Sequence, residues 1–274
     1  MRSALAITAC IVLSVSAGAV PAVAQMQNNV EKQMTCDNRS WNGDRARHCD
    51  IREQTLPSVG QLNVEGHNGG ATVKGWLRNE VLVRARVEAT ADAQAAADSL
   101  ASRVSIESAG GQVRSTGPDS SDNSGWSVSY EIFVPQQTDL NIKTHNGGVT
   151  ISDVRGQIRF ESHNGGVHLA RISGDVGGTT HNGGIHVELM GATWEGRQLE
   201  ASTYNGGITV AMPAGYSAHV QAETSSGHIQ SNFPLTVSGE LRPRRLETNI
   251  GSGGPLIHLT THNGQVSLNQ AGLR

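Results

Sequence analysis

Histidine is the residue type whose number and spacing in this chain most clearly suggest a chemical role. Eleven histidines occur among 274 residues, and five of them open a tetrapeptide, mostly His-Asn-Gly-Gly, that recurs along the chain. Neutral imidazole is a common metal ligand, so the first chemistry to consider is a metal site. The five are His67, His145, His163, His181 and His262.

A row of equivalent histidines does not by itself make a metal site. The ligands of a zinc ion converge on it from several directions, whereas side chains repeated at a fixed interval form a line. Tyr204 takes the histidine position in one copy. A phenol replaces imidazole well in a stack of rings but poorly among metal ligands. We therefore expect structural stacking without metal, with a second short column at His168 and His186. A metal-binding histidine ladder is the alternative.

Neither calcium binding nor catalysis has a recognisable signature. Calcium-binding β-rolls carry Gly-Gly-x-Gly-x-Asp turns, and here Asp153 and Asp175 do not fall at a repeated position. Hydrolysis of polysaccharides needs a paired set of carboxylates or a metal with a base. The acidic residues are scattered over non-equivalent positions, and no Gly-x-Ser-x-Gly elbow occurs. We expect no enzymatic activity and no cofactor; a polysaccharide-active enzyme is the alternative.

The tetrapeptide is the sign of an internal repeat. Copies begin at His145, His163 and His181, at intervals of 18 residues, and another begins at Tyr204 after 23 residues. A degenerate copy begins at Ser225, and outlying copies begin at His262 and, far upstream, at His67. A fixed period of this length usually determines the whole fold.

Strands flank each tetrapeptide. Apolar residues alternate after it, as at Val149 and Ile151, and again before the next copy, as at Ile158 and Phe160. This period of two indicates strands with one buried face. Asn-Gly between such strands is typical of an antiparallel meander. We favour a parallel β-solenoid with coils of about 18–23 residues, because stacked identical corners gain side-chain amide hydrogen bonds and stacked coils share a core.

In a solenoid the corners would form a structural ladder. The two glycines at each corner are expected to give the backbone access to positive φ. Rings would stack on rings and asparagines on asparagines, about 4.8 Å apart. The expected ladder residues are His145, Asn146, His163, Asn164, His181, Asn182, Tyr204 and Asn205.

The first residues predict export. Residues 1–24 contain Arg2, an apolar run, and Ala22-Val23-Ala24 before Gln25, the pattern of a cleaved secretory signal peptide. A retained membrane anchor or a lipoprotein at Cys10 is the alternative. Cleavage would leave 20 basic and 24 acidic residues, a balance that argues against nucleic acid as a partner. We expect a periplasmic or extracellular protein with no membrane-spanning segment after cleavage.

Residues 25–57 form a polar segment that contains two cysteines. In an oxidising compartment Cys36 and Cys49 are expected to form a disulfide. Closing a loop of this size stabilises a fold by about 3 kcal/mol in the chain-entropy model. The alternative is a metal site of Cys36, His48 and Cys49, which has few ligands for that purpose.

The repeat domain is expected to span residues 58–274. Within it, residues 90–104 are rich in strong helix formers, with Thr90 as a possible cap and Ala97 and Leu100 on one face. We expect this short α-helix to be the N-terminal cover of the solenoid, shielding an open sheet edge. A partner-binding helix is the alternative.

The repeat resembles the DUF4097 family, a bacterial domain regarded as an adhesin. The resemblance rests on the recurrent Asn-Gly-Gly coils, on WSVSYEIFVP leading into LNIKTHNGGVTI, and on IGSGGPLIHLTTHNGQVSL, and it covers roughly Ser58 to Leu268. It implies a secreted or envelope-associated β-solenoid without a defined activity. The chain departs from the family in its histidine at most corners and in the Cys36–Cys49 segment, and no functional residue carries over.

Together these observations predict an exported, non-enzymatic repeat protein. Its repetitive faces suit an adhesin or an envelope interaction module that contacts glycans or proteins. A periplasmic envelope-stress scaffold without an adhesive role is the alternative.

Overall fold

The computed structural model describes residues 34–36, 45–233 and 242–271. The expected signal peptide, residues 1–24, lies outside this part of the chain. The described residues form one α-helix and twenty strands. The helix, α1, spans Gln94–Ser102. The strands are β1 Ala46–Pro57, β2 Gln61–Asn68, β3 Ala71–Trp76, β4 Glu80–Ala91, β5 Ser105–Ala109, β6 Gln112–Thr116, β7 Gly125–Pro135, β8 Asp139–Asn146, β9 Val149–Ser152, β10 Arg155–Asn164, β11 Val167–Ala170, β12 Ser173–Asn182, β13 Ile185–Glu188, β14 Gln198–Asn205, β15 Ile208–Met212, β16 Ala218–Ser226, β17 Ile229–Ser231, β18 Arg245–Ile250, β19 Leu256–Asn263 and β20 Val266–Gln270.

The strands form two ten-stranded sheets that share one core. Sheet A has the order β1-β4-β7-β3-β9-β11-β13-β15-β20-β17, and sheet B has the order β18-β16-β19-β14-β12-β10-β8-β2-β6-β5. Alternate residues of each strand point into the space between the sheets. Ile151 and Leu169 from sheet A and Ile158 from sheet B are 0% exposed there. Apart from its one helix the fold is all-β, as predicted, and most strands alternate buried with exposed or partly buried residues.

Successive repeats stack in parallel. In sheet B, β10 pairs with β12 in a register that matches Arg155 with Ser173 and Asn164 with Asn182. In sheet A, β11 pairs with β13 and matches Val167 with Ile185. Both registers join residues 18 apart. A coil is therefore one sheet B strand, a Gly-Gly corner and one sheet A strand, and the architecture is β-solenoid-like and not a meander.

The last coil of the sequence is not the last coil in space. β19 lies between β14 and β16, and β20 lies between β15 and β17. The inserted coil buries Ile257, Leu259, Val266 and Leu268 completely. β17 has only three residues, of which Ile229 is partly buried and the other two are exposed. A strand with so little apolar surface suits the edge of a sheet, whereas the more apolar last coil suits the interior.

The N-terminal end of the sheets is built differently. β1 pairs antiparallel with β4, and β4 pairs antiparallel with β7. The segment assigned above to a polar region before the repeat domain thus supplies the edge strand of sheet A. Its sequence shows no clear alternation because β1 is an edge strand with no fully buried residue. The disulfide predicted between Cys36 and Cys49 is present, with Cα atoms 5.9 Å apart, and it ties residue 36 to this strand.

The helix is shorter than predicted and is capped differently. The N-cap residue is Ala93, without a side-chain cap, so the prediction of Thr90 as the cap is wrong. Thr90 instead lies within β4, where it is paired with Arg47 of β1. The helix buries Ala97, Leu100 and Ala101 and packs mainly on β4 and β1. At this end of the molecule the outermost strands are β1 in sheet A and β5 in sheet B, so the helix packs on one edge strand, β1, and on its neighbour β4.

No helix among the described residues is long and apolar enough to cross a membrane.

Candidate functional site

The corners between the sheets bring the repeated aromatic residues into one line. We call this line the ring column; adjacent rings are 4.6–5.4 Å apart, centroid to centroid, and their planes are nearly parallel. Stacked rings cover each other's faces, so mainly their edges meet solvent, and those edges carry the imidazole nitrogens and the phenol oxygen. In spatial order the column contains His67, His145, His163, His181, Tyr204 and His262.

Beside the ring column runs a ladder of asparagine side chains. Asn164 donates from Nδ2 to Oδ1 of Asn146, and Asn182 donates to Asn164, both at 2.8 Å. The other rungs measure 2.8–2.9 Å, and every rung points the same way. Aligned amide hydrogen bonds polarise one another, so the ladder is stronger than separate pairs would be. Its six members are Asn68, Asn146, Asn164, Asn182, Asn205 and Asn263.

A column of buried hydroxyl groups supports the corner from inside, and sequence reasoning missed it. Thr180 donates from Oγ1 to the carbonyl oxygen of Gly165 at 2.8 Å, and Thr203 and Thr261 make the equivalent bonds at 2.8 and 2.7 Å. Thr180 is 2% exposed, so its hydroxyl needs a partner within the fold, and the corner carbonyl is that partner. The sequence signal was the Ser or Thr before every ring residue except His67, which follows Gly66. The column contains Thr144, Ser162, Thr180, Thr203, Thr261 and Thr224.

The two glycines of each corner serve a different purpose from the one predicted. Among the repeated corner glycines of the described chain, only Gly69 has positive φ, at 124°. The requirement is close approach instead. A Cβ on Gly165 would lie 2.2 Å from the carbonyl oxygen of Gly147, whereas one on Gly166 would lie 3.4 Å from that of Gly184. Across the corners the nearest carbonyl oxygen would lie 2.0–2.3 Å from a Cβ on the first glycine and 2.9–3.4 Å from one on the second. The first glycine is therefore the more strictly required, which agrees with Gln265 at the second position in the last coil.

The outward face of sheet B beside the ring column carries a groove. A depression of about 420 Å³ follows the column, and a second of about 320 Å³ adjoins it. The two share Glu161, Thr179 and Ser202 in their linings. Ser and Thr hydroxyls form the middle of this surface, and Gly177, which has no side chain, leaves space between Arg159 and Glu200. We call these two depressions together the sheet B groove.

The charges along the sheet B groove are mixed in sign and mostly paired. Lys143 and Glu161 have their charged atoms 3.4 Å apart. Asp175 lies between Arg159 and Arg197, with N–O distances of 3.4 and 2.7 Å. Such a surface offers donors and acceptors in a small area, without a strong field of one sign.

The second predicted column lies on the other sheet. His168 and His186 occupy matched positions of β11 and β13 on the outward face of sheet A. Their rings stack with centroids 5.0 Å apart. Thr150 and Thr209 hold the neighbouring positions of β9 and β15, so this column has only two rings.

The fold and the corner geometry define a β-solenoid-like repeat protein, and the comparison with known families agrees. The family model described as Toastrack DUF4097 matches residues 55–269. The chain belongs to this family. The matched range begins inside β1, which is consistent with the position of that strand in sheet A.

Solved structures similar to this chain come from several bacteria. A "putative cell adhesion protein" from Clostridium sporogenes is 13% identical, with a TM-score of 0.46, and the match covers 81% of this chain and 100% of that one. A "putative adhesin" from Bacteroides fragilis is 12% identical, with a TM-score of 0.43, and the match covers 81% and 97%. No curated protein matches this chain. At these values the similarities carry no argument about function.

Proposed function

We propose that this chain is an exported, non-enzymatic contact module that binds an extended envelope glycan along the outward face of sheet B. The observation that supports this best is the sheet B groove, which runs across neighbouring coils and is lined by hydroxyls and ring edges. Parallel stacking repeats these groups at the spacing of the strands, so a long polar chain can be contacted at successive sites.

The composition of this surface favours a glycan over a protein partner. Protein interfaces bury a centre enriched in aromatic residues and methionine. The groove lining is polar apart from the ring column and Phe160, and Phe160 is only 3% exposed. Because the column rings cover one another's faces, the ligand would be held mainly by hydrogen bonds to ring edges and hydroxyls. A ligand rich in hydroxyl groups matches this surface.

The groove can be filled without disturbing the fold at one position. A Cβ on Gly177 would have no heavy atom closer than 3.8 Å outside its own neighbours, and the residue does not have positive φ. Gly177→Leu should therefore fold normally and occupy the depression between Arg159 and Glu200. The exposed side chain of Thr179 lines both depressions, so Thr179→Arg is a second groove variant. Thr209→Arg, on the outward strand face of sheet A, is the matched control.

The test is binding of the purified chain to a panel of immobilised bacterial envelope glycans. We expect both groove variants to weaken binding at least tenfold, about 1.4 kcal/mol, and the control to leave it unchanged. Equal binding by all three variants, or binding to envelope proteins alone, would refute the glycan proposal. Protease accessibility on intact cells, with an internal protein as control, separates a surface adhesin from a periplasmic scaffold.

A further inference from the structure

The pair of histidines on sheet A has an acidic neighbour that the ring column does not have. Glu188 lies two residues after His186 on β13, and in a strand such residues face the same side. Its Oε1 atom is 3.4 Å from Nε2 of His186 and 3.9 Å from Nε2 of His168. One potential ligand atom from each of the three residues lies within 4.8 Å of the others.

We propose that His168, His186 and Glu188 form a surface site for one divalent transition-metal ion of the zinc class. Two imidazole nitrogens and one carboxylate oxygen, with a water in the fourth position, are a common set of zinc ligands. The three ligands do not lie on one line. Glu188 approaches the two stacked rings from the next outward-facing position of β13, two residues after His186. This removes the objection that a row of stacked rings alone cannot surround an ion.

The three side chains can reach bonding distance by small rotations. Metal–nitrogen bonds of about 2.0–2.1 Å in a tetrahedral site require nitrogen atoms roughly 3.4 Å apart. The side chains of His168, His186 and Glu188 are 40%, 42% and 46% exposed, so their outer bonds can turn without displacing the core. Register pairing of β11 with β13 fixes the backbone positions from which they start.

The ligand types and the surrounding charges point to the zinc class of ions. Calcium and magnesium prefer shells made of oxygen atoms, whereas imidazole suits zinc, copper and nickel. The guanidinium of the nearby cation Arg171 makes two hydrogen bonds to Asp153, at 2.6 and 2.7 Å, and interacts with Glu188 only through its charge. The flanking residues Thr150 and Thr209 are uncharged and leave room for the ion.

The ring column provides the internal control. Within the ranges that the structure describes, the His168 cluster is the one group of at least three His, Cys, Asp or Glu residues whose ligand atoms lie this close together. His163 belongs to a longer stack, with rings on both sides. A variant at His163 therefore removes an exposed imidazole but leaves the proposed site intact.

The experiment is calorimetric titration of the full chain, purified without a polyhistidine tag, with zinc chloride. We expect one equivalent of zinc to bind to the wild type and to His163→Ala. That equivalent should be lost in His168→Ala and in His186→Ala, and its affinity should fall at least tenfold in Glu188→Gln. Circular dichroism would establish that each variant is folded; all four changes are on the surface.

Titration with copper(II) followed by electron paramagnetic resonance supplies a second readout. Coupling to two imidazole nitrogens should appear in the wild type and be reduced in His186→Ala. The proposal is overturned if the wild type binds no zinc at 100-fold molar excess, or if the bound equivalent survives both histidine variants at sheet A. Loss of that equivalent in His163→Ala alone would assign it to the ring column and also overturn the proposal.

Discussion

Tyr204 stacks directly on His262, with ring centroids 4.6 Å apart, although the two residues belong to coils that are not consecutive in the sequence. The contact exists because β19 pairs with β14 on one side and with β16 on the other. The coil from residue 256 to residue 270 is thus an internal layer of both sheets. The last strands in the sequence, β19 and β20, therefore join β14 to β16 and β15 to β17, which all come earlier in the chain.

This arrangement predicts that Leu259 is essential to the stability of the fold. Its side chain is 0% exposed between the sheets. Leu259→Ala should lower the free energy of unfolding by about 2–5 kcal/mol, because it removes buried methyl groups and leaves a cavity. Leu256→Ala, on the same strand but only partly buried, should cost about 1 kcal/mol or less. Chemical denaturation of both variants measures the difference, and equal costs would contradict the internal position of this coil.

The corner glycines give a prediction with a neighbouring control. Gly165→Ala places a methyl group 2.2 Å from the carbonyl oxygen of Gly147 and must force adjacent coils apart. We expect it to cost about 3 kcal/mol or more, at the upper end of overpacking effects. Gly166→Ala meets its first neighbour at 3.4 Å and should cost less than about 1 kcal/mol. Denaturation midpoints decide the matter, and a larger cost for Gly166→Ala would refute the close-approach explanation.

The asparagine ladder should be weaker at its end than in its middle. Asn164 donates one amide bond and accepts another, whereas Asn68 accepts only the bond from Asn146. At about 0.5–1.5 kcal/mol per bond, Asn164→Ala should lower the free energy of unfolding by about 1–2 kcal/mol and Asn68→Ala by about half as much. Asn123→Ala, at an exposed turn, is the control and should have little effect. If all three variants unfold like the wild type, the ladder contributes no net stability.

The hydroxyl column predicts a contrast between adjacent threonines. Thr180→Val keeps the shape of the side chain but removes the 2.8 Å bond to the carbonyl oxygen of Gly165. We expect a loss of about 1–3 kcal/mol, because the carbonyl then lacks its side-chain partner. Thr179→Val, on the exposed face of the same strand, should change stability by less than about 0.5 kcal/mol. Thermal unfolding compares the two; similar midpoints would mean that this carbonyl finds another partner.

Alkaline pH should destabilise the protein through its buried tyrosines. Burial raises the pKa of Tyr130 from 10.0 to about 12, and burial also raises the pKa of Tyr216. Below pH 10 the phenol of Tyr130 is protonated in both the folded and unfolded states. Between pH 10 and 12 the unfolded chain releases a proton that the folded chain keeps, so stability falls by roughly 2–3 kcal/mol for this group.

The corresponding variant isolates this contribution. Tyr130→Phe removes the ionisable group, so its free energy of unfolding should fall less steeply than that of the wild type from pH 10 to pH 12. Urea denaturation at several pH values gives the slopes. Parallel slopes would show that Tyr130 does not release its proton on unfolding.

Much of the fold could be predicted because its cause is local and repeated. The 18-residue interval from His145 to His163 and the alternation at Val149 and Ile151 predict strands with one buried face and favour their stacking. A side chain at a fixed place in each coil can only stand above its equivalent, so the ring column and the asparagine ladder were both foreseeable. The disulfide was also foreseeable, because only Cys36 and Cys49 remain after the expected signal peptide.

Other features depend on contacts between distant segments, which the repeat pattern does not encode. The place of β19 between β14 and β16 depends on which coil has the most apolar surface to bury, so it cannot be read from one coil alone. The role of Gly165 depends on the distance to a carbonyl in the next coil. The nearness of Glu188 to both His168 and His186 depends on side-chain directions across two strands.

For this protein the sequence by itself determined the coil, its strands and the residues at its corners, because these follow from short-range spacing and from the two faces of a strand. Only the tertiary structure decided the order of the coils, the packing of the helix against β4 and β1, and the sheet B groove. Those features arise where surfaces far apart in the sequence compete to be buried, and the outcome depends on the shape and apolar area of the whole chain.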